Sequence, residues 1–508
     1  MAYNEKALAS YLELVGAGVR FRSPTCPYCR DGIPIKHVDP VRKPKCPWEF
    51  WKRIQSSGDD VSPMYVVGPM VDQSELPFRI LCRRYGATLA YSPMLHAKSF
   101  AQSASYRKRY FSTTLPLWNP SLNETSDSSG QGKTNRQDCD HPLFVQFCGN
   151  DPETVLTAAR YVEDYCEAVD FNLGCPQGIA RRGHYGSFLM EDWELIHNIL
   201  HMLVVELRVP VTAKMRVFDD ELLTLKYAEM LRDTGIYVLC VHGRTRENKG
   251  QQTKPADLDI IRRVHEHLGG TIPIITNGNV LTFEDVPRNL AKTNCEGIMC
   301  AEPLLWDPCL FAPAAGGALG GERDGSKRRL TVRTGRLFAE RRPSRLAAIS
   351  ATREYLELVR RFPVDIGFVK AHMFKMLYHS YEMHPHFQQW LSEFSVASNF
   401  NNAMMGRGSD EGGEEEKESG DGSQGEGVMQ TPGIFTAMMD ALDDHLRKLL
   451  DAEVSLPNDD EQPKRGKKTN DSEGVCGSAA RKEDSSRTLH FSTYTDFLND
   501  DGTFGIDF

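Results

Sequence analysis

No run in this 508-residue chain approaches the roughly 20 consecutive apolar residues that a membrane-spanning helix needs. Its start, Met1-Ala2-Tyr3-Asn4-Glu5-Lys6, lacks a cationic region leading into a long apolar one, so no secretory leader is expected. These absences point to a soluble cytoplasmic protein with no membrane partner, whose 13 cysteines are reduced thiols. Paired metal-ligand spacing is missing as well. The chain has one Cys-x-x-Cys, Cys26-Pro27-Tyr28-Cys29, and the downstream His37 and Cys46 do not make a second pair, so ordinary thiols are preferred to a zinc site and no metal is expected.

Excess positive charge is also lacking, since the formal net charge is -9. That acidity is local. Residues 401–508 hold 11 Lys and Arg against 24 Asp and Glu, which leaves the first 400 residues slightly cationic and able to offer a basic face to phosphates. The acidic stretch, with Asp410-Glu411-Gly412-Gly413-Glu414-Glu415-Glu416 and frequent Gly and Ser, reads as a low-complexity tail. Within it, Phe435, Met438, Met439, Leu442, Leu446 and Leu449 recur at helical spacing, so a helix is expected over 432–450, docked on the body or on a partner. Lys464-Arg465-Gly466-Lys467-Lys468 could serve as a nuclear address, although such a run is more often simply solvated.

What the chain does have is a repeated strand and helix pattern from Met64 to Cys300. Short β-rich runs centre on Tyr65-Val67, Thr88-Tyr91, Leu143-Phe147, Ala168-Phe171, Val211-Met215, Tyr237-Val241, Pro273-Thr276 and Gly297-Cys300, with helical stretches such as Pro152 to Tyr165 and Leu222 to Asp233 between them. Eight such units with near-continuous apolar strands predict an α/β fold, a (β/α)8 TIM barrel, with a doubly wound sheet as the rival. The expected organisation is an N-terminal extension (1–47), the barrel (48–313, with a Ser/Asn/Gly-rich insertion at 119–140), a Gly/Arg-rich linker (314–334), a small all-helical domain (335–400) and the tail (401–508). A monomer is expected.

The most informative block is Asp170-Phe171-Asn172-Leu173-Gly174-Cys175-Pro176-Gln177, followed by Arg181-Arg182-Gly183-His184-Tyr185-Gly186. It sets Cys175 just past an apolar strand, in a loop that Gly and Pro keep non-helical, which is where a barrel carries its chemistry. Lys214 and His242 end later strands and supply cationic or hydrogen-bonding groups, and Asn277-Gly278-Asn279 offers a tight turn suited to a phosphate. Together these read as an anionic cofactor site, although each alone is commonly a structural hydrogen-bond partner. Arg181, Arg182, Arg244 and Arg246 are placed to line a cationic mouth or to hold loops together.

The Asn-x-Gly-Cys-Pro block resembles the catalytic loop of the tRNA-dihydrouridine synthases. Further pieces of that family's pattern follow in order: Gly68-Pro69-Met70-Val71-Asp72-Gln73-Ser74, Tyr91-Ser92-Pro93-Met94, Val145-Gln146-Phe147, Lys214-Met215-Arg216, Val241-His242-Gly243-Arg244-Thr245 and Thr276-Asn277-Gly278-Asn279. The resemblance implies a flavin mononucleotide (FMN) site. In it, Pro69, Met70 and Val71 lie beside the flavin ring, Gln146 contacts it, Lys214 sits near its reactive edge, His242 approaches cofactor and substrate, and Asn277, Gly278 and Asn279 form the phosphate turn. Where most of the family has Gly-Arg, this chain has Ala301-Glu302, as does the subfamily acting on D-loop positions 16 and 17. The resemblance further implies a helical domain that grips transfer RNA, for which Lys370, His372 and Lys375 recur on one helical surface.

The chemistry so implied is reduction of FMN by NADPH or NADH, then hydride delivery to C6 of a uracil while an acid protonates C5. Cys175 is the expected acid, because a thiol with a pKa of about 8.5 is protonated at neutral pH yet can yield its proton. Two rivals remain: a flavin barrel oxidoreductase of a small molecule, and a transfer RNA chaperone without turnover.

Overall fold

Eight apolar runs form strands β1 (Met64–Val67), β2 (Leu89–Tyr91), β3 (Leu143–Cys148), β4 (Ala168–Leu173), β5 (Val211–Arg216), β6 (Val238–His242), β7 (Ile274–Asn277) and β8 (Gly297–Cys300). The computed structural model describes residues 2–16, 42–55, 62–114, 139–249, 254–312, 331–333, 336–338, 344–394 and 432–454. Each strand is buried on both faces or nearly so, as a parallel sheet wrapped by helices requires. Neighbours pair in parallel around the sheet from β3 through to β8, then β1 and β2. The sheet closes where β2 meets β3, with Ala90 opposite Leu143 and Tyr91 opposite Phe144. That pairing decides for the barrel and against the doubly wound sheet.

The N-terminal end of the barrel is plugged by the helix Pro47–Ile54, whose Pro47, Phe50, Trp51 and Ile54 fall on one face and are buried. Trp51 packs with Val66, Phe144, Tyr237 and Met299 in a separate core cluster inside the barrel. Ahead of it, the helix Ala2–Gly16 lies on the barrel helix Trp193–Glu206, where the Ser10 hydroxyl accepts the Trp193 backbone N–H at 2.7 Å and Tyr11 meets the Trp193 ring edge-on.

The helices Arg345–Arg361, Ile366–Met376, Tyr378–Met383 and Pro385–Glu393 form the layer after the barrel. Glu75, at the start of the barrel helix Leu76–Arg84, bolts this layer on: its carboxylate accepts the Tyr355 hydroxyl at 2.7 Å and pairs with His372 Nε2 at 3.0 Å. A fifth helix, Pro432–Val454, packs along Arg345–Arg361 through the buried side chains of Met438, Met439, Leu442, Leu446 and Leu449. Each of these contributes about 1.5–3 kcal/mol of burial, so this stretch of the acidic region belongs to the helical layer. Ion pairs of Arg345 with Glu453 (2.6 Å) and Arg360 with Asp440 (3.0 Å) orient it.

His445 seats the same helix. Its ring stacks on Trp390 at 4.4 Å, and Nε2 shares a hydrogen bond with the Tyr381 hydroxyl at 3.1 Å. Burial pulls its pKa down to about 4. The unfolded chain takes up a proton near pH 6.5 and the folded one only near 4, so stability present above 6.5 is lost as pH falls between those values. Hydrogen exchange of Pro432–Val454 should therefore show protection weaker by about 2 kcal/mol at pH 5 than at pH 7. Equal protection at both pH values would refute this account of His445.

No described helix is long and apolar enough to cross a membrane. Cys26, Cys29 and His37, most of the expected insertion and linker, and the basic run at 464–468 lie outside the described residues. Among the described residues no group of three or more Cys, His, Asp and Glu side chains could hold a metal.

Candidate active site

The C-terminal ends of the strands gather the sequence motifs at one face of the barrel. Chain leaving β4 passes through Gly174-Cys175-Pro176, and Asn172 controls its course. The Asn172 Oδ1 accepts the backbone N–H groups of Gly174 (3.2 Å) and Cys175 (2.9 Å), an Asx turn that keeps the loop from continuing the strand. Its Nδ2 donates to Gln146 Oε1 at 2.9 Å, Gln146 Nε2 donates to Asp170 at 2.8 Å, and Thr212 Oγ1 donates to the other Asp170 oxygen at 2.6 Å. Burial raises the Asp170 carboxyl to about 6 against the pull of Thr212 and Gln146. Gln146 is wholly buried with both ends of its amide engaged, so its visible work is to orient Asn172 and, through it, the cysteine loop.

From the other side, Ser187 donates its N–H (3.0 Å) and its hydroxyl (2.9 Å) to the Cys175 carbonyl. Gly186 makes this closure in the left-handed region at φ 64°, where an added Cβ would lie 2.8 Å from the Cys175 oxygen. The half-buried thiol is thus fixed at the barrel mouth. Burial pushes its pKa up, outweighing the Gln177 backbone N–H and the nearby Arg216, Lys214 and Lys249. Cys175 therefore keeps its proton at neutral pH.

Lys214 and Arg216 stand two apart on β5 and so share a face. Arg216 Nε donates to the Gly174 carbonyl at 2.6 Å and Nη1 to the Thr245 carbonyl at 2.9 Å, tying the cysteine loop to the loop after β6. His242 ends β6, and its Nε2 lies 3.0 Å from Arg244 Nη1. A guanidinium can only donate, so Nε2 accepts and the proton of the neutral imidazole sits on Nδ1. Burial, then the charges of Arg216, Lys214 and Arg244, lowers His242 well below its ordinary value. Burial lowers Lys214 too, and Arg216 to about 10. Burial is the main cause of each shift, repulsion among Lys214, Arg216 and Arg244 adds to it at His242, and Glu302 offsets part of it at Arg244, so the cluster is predominantly cationic and suited to an anion.

The turn after β7 supplies the complementary corner. Gly278 (φ 123°) and Asn279 (φ 57°) are both left-handed, and a Cβ on Gly278 would come within 2.5 Å of Ala256. The Asn279 side chain clasps the Ala256 N–H and carbonyl, each at 2.7 Å, and receives Arg244 Nη2 at 3.4 Å. Asn277 Nδ2 donates to the Met299 carbonyl at 3.0 Å. Pro69, Met70 and Val71 follow β1 at the same face, partly exposed, and Ala301 caps the short helix Glu302–Trp306 that follows β8. A phosphate or another anion would meet backbone N–H groups, Lys214, Arg244 and neutral His242 here.

The family model described as "Dihydrouridine synthase (Dus)" matches residues 65–361, more than half of the chain. The chain belongs to the dihydrouridine synthase family. Similar curated proteins include the tRNA-dihydrouridine(16/17) synthase [NAD(P)(+)] of Saccharomyces cerevisiae, 51% identical over 49% of this chain and 54% of that protein. The Mus musculus tRNA-dihydrouridine(16/17) synthase [NAD(P)(+)]-like protein is 38% identical over 68% of this chain and 61% of its own length. The Schizosaccharomyces pombe tRNA-dihydrouridine(16/17) synthase [NAD(P)(+)] is 39% identical over 62% and 69%. The chain thus spans a little over half the length of the first of these relatives.

Within this family fold, several expected RNA contacts need correcting. Lys370 is buried, and its ammonium donates to the carbonyls of Ser392 (3.1 Å) and Phe394 (2.7 Å). His372 is wholly buried between Phe78, Tyr355 and Glu75. Neither group is presented to a phosphate; the helix Ile366–Met376 turns these positions inward to join the two layers. Lys375 does reach the surface region, with its ammonium 5.4 Å from the Trp306 ring centre. Arg244 is committed to His242 and Asn279 inside the anion site. Arg246 is pinned by Glu191 at 2.6 Å and by the Tyr3 ring at 3.9 Å, a brace between the N-terminal helix and the cysteine loop. Arg181 and Arg182 stay exposed on the short helix Gly178–Arg182.

Sequence reasoning passed over Asp170, Asn172 and Arg216 as working groups, although all three lie within the motifs it quoted. A buried acid or amide inside an apolar strand was the available signal. It also passed over Asp72, left-handed at φ 58°, whose carboxyl burial lifts to about 6 and whose Oδ1 is buried without a hydrogen-bond partner among the described residues.

Proposed function

We propose that this protein reduces uridine to 5,6-dihydrouridine in the D-loop of transfer RNA, at positions 16 and 17, using FMN and NADPH or NADH. The observation that carries the reading is the Cys175 thiol, held at the barrel mouth by Asn172 and Ser187 in a loop that Arg216 of the cationic site also ties down. Pro69, Met70, Val71, Lys214 and His242 would flank the flavin ring, while Asn277, Gly278, Asn279 and Arg244 would hold its phosphate. The excess of cationic groups around an anion-shaped corner fits that cofactor. When bound, FMN supplies the hydride. Cys175 holds the proton destined for C5 of the uracil, and Asn172, Ser187 and Arg216 keep its loop in place. A target base must leave its stack to reach this depth, which the cationic mouth at Arg181 and Arg182 would ease. Ala301-Glu302 in place of the family's Gly-Arg supports the position-16/17 assignment.

The test is a visible absorption spectrum of the purified protein, followed by NADPH addition with and without unmodified transfer RNA. Flavin absorbance and RNA-dependent dihydrouridine formation, mapped to positions 16 and 17, are the expected results. Turnover of a small enone or orotate without RNA would favour the small-molecule oxidoreductase, and RNA binding by a protein that takes up no FMN would favour the chaperone.

A further inference from the structure

With Lys370 and His372 buried, the cations that meet RNA beside the catalytic mouth must come from elsewhere. The helix Ala104–Tyr110 carries the sequence Tyr106-Arg107-Lys108-Arg109-Tyr110 and buries none of its residues. Its two tyrosines pack against each other in a tilted pair with ring centres 4.5 Å apart. Tyr110 continues to Phe368 of the helical layer at 5.9 Å. In the other direction the Tyr106 hydroxyl accepts the His96 backbone N–H at 3.1 Å, and the His96 ring lies 5.5 Å from Tyr185 of the cysteine loop. The helix therefore bridges the rim that holds Cys175 and the helical layer.

Its cations are graded in how firmly they are held. Arg107 is tied down, donating to the Phe100 carbonyl at 2.6 Å and lying over Tyr161. Arg109 pairs with Asp365 at 3.0 Å but leaves half its side chain exposed. Lys108 is exposed and has no ion-pair partner among the described residues. Basic side chains interleaved with partly exposed aromatics match a nucleic acid strand: phosphates for the cations and base faces for the rings.

We propose that Ala104–Tyr110 is a docking ridge for the transfer RNA substrate, with Lys108 and Arg109 meeting phosphates of the strand that leads to the target base. This rests on the function proposed above. It gives the RNA a continuous path from the helical layer to the cysteine loop that the buried Lys370 and His372 cannot provide.

The full-length Lys108→Ala/Arg109→Ala protein tests it in steady-state dihydrouridine assays on unmodified transfer RNA at several salt concentrations. KM for the RNA should rise about tenfold with kcat at saturation unchanged, and the slope of log KM against log salt should fall by about 1–2. Flavin reduction by NADPH without RNA should match the parent. Because Arg109 also pairs with Asp365, Lys108→Glu alone serves as the second variant, and it too should raise KM. A KM and salt slope equal to the parent's in both variants would overturn the ridge while leaving the proposed function intact. A parent that forms no dihydrouridine would sink that function instead. The same variants would then be compared by direct binding of labelled transfer RNA, where weaker binding supports the ridge and equal binding overturns it.

Discussion

Cys175→Ala should lower dihydrouridine formation on transfer RNA by about 10²–10⁴-fold, the usual contribution of a positioned acid, while flavin content and reduction by NADPH persist. The expectation follows from the loop geometry. The Cys175 thiol has no other structural duty of the kind that would unfold the barrel, since Asn172 and Ser187 hold the loop through its backbone. Burial raises its pKa, so the proton is present throughout the neutral range. The parent rate at saturating RNA should consequently stay flat through neutral pH and fall only above the ordinary thiol value of about 8.5. If Cys175→Ala keeps the parent's single-turnover rate for oxidation of the reduced flavin by RNA, another group is the acid.

Asp140→Ala should destabilise the protein by about 3–5 kcal/mol, the cost of leaving a buried cation without its partner. Asp140 is wholly buried and receives Arg79 through Nε (3.0 Å) and Nη2 (2.6 Å), with Arg83 close by. Against the upward push of burial, Arg79 and Arg83 hold its carboxyl below the usual range. Arg79 Nη1 also donates to the Ser74 carbonyl at 2.6 Å, and the Ser74 hydroxyl accepts the Met70 N–H at 3.0 Å. The pair thus braces the segment Pro69-Met70-Val71. Denaturant unfolding of Asp140→Ala should show the loss, together with weaker retention of FMN. Arg79→Met/Asp140→Leu, which removes both charges, should cost less than Asp140→Ala alone. A single variant as stable as the parent would contradict the reading.

Much of this was legible in the chain. Near-continuous apolar runs such as Ala168–Leu173 and Val211–Arg216 located the barrel strands, because a strand covered on both sides tolerates few polar residues. Cys175 stood out because Gly174 and Pro176 force a loop directly after a strand. The terminal helix was visible in the spacing of Met438, Leu442, Leu446 and Leu449, but not the surface it would cover. Lys370 and His372 misled for a plain reason: helical spacing says which side chains share a face, and not which way that face turns.

The sequence by itself determined the α/β class with its eight strand and helix units, the order of the motifs and the identity of the thiol, since these depend on local periodicity and on residue chemistry. Tertiary structure alone decided which polar groups are spent on one another. It set Gln146 to orient Asn172, Arg244 to donate to His242 Nε2, Glu75 to bind the helical layer, and Tyr106 and Tyr110 to bridge the cysteine loop and Phe368. Those pairings join residues far apart in the chain, and burial sets their cost, so no local pattern could announce them.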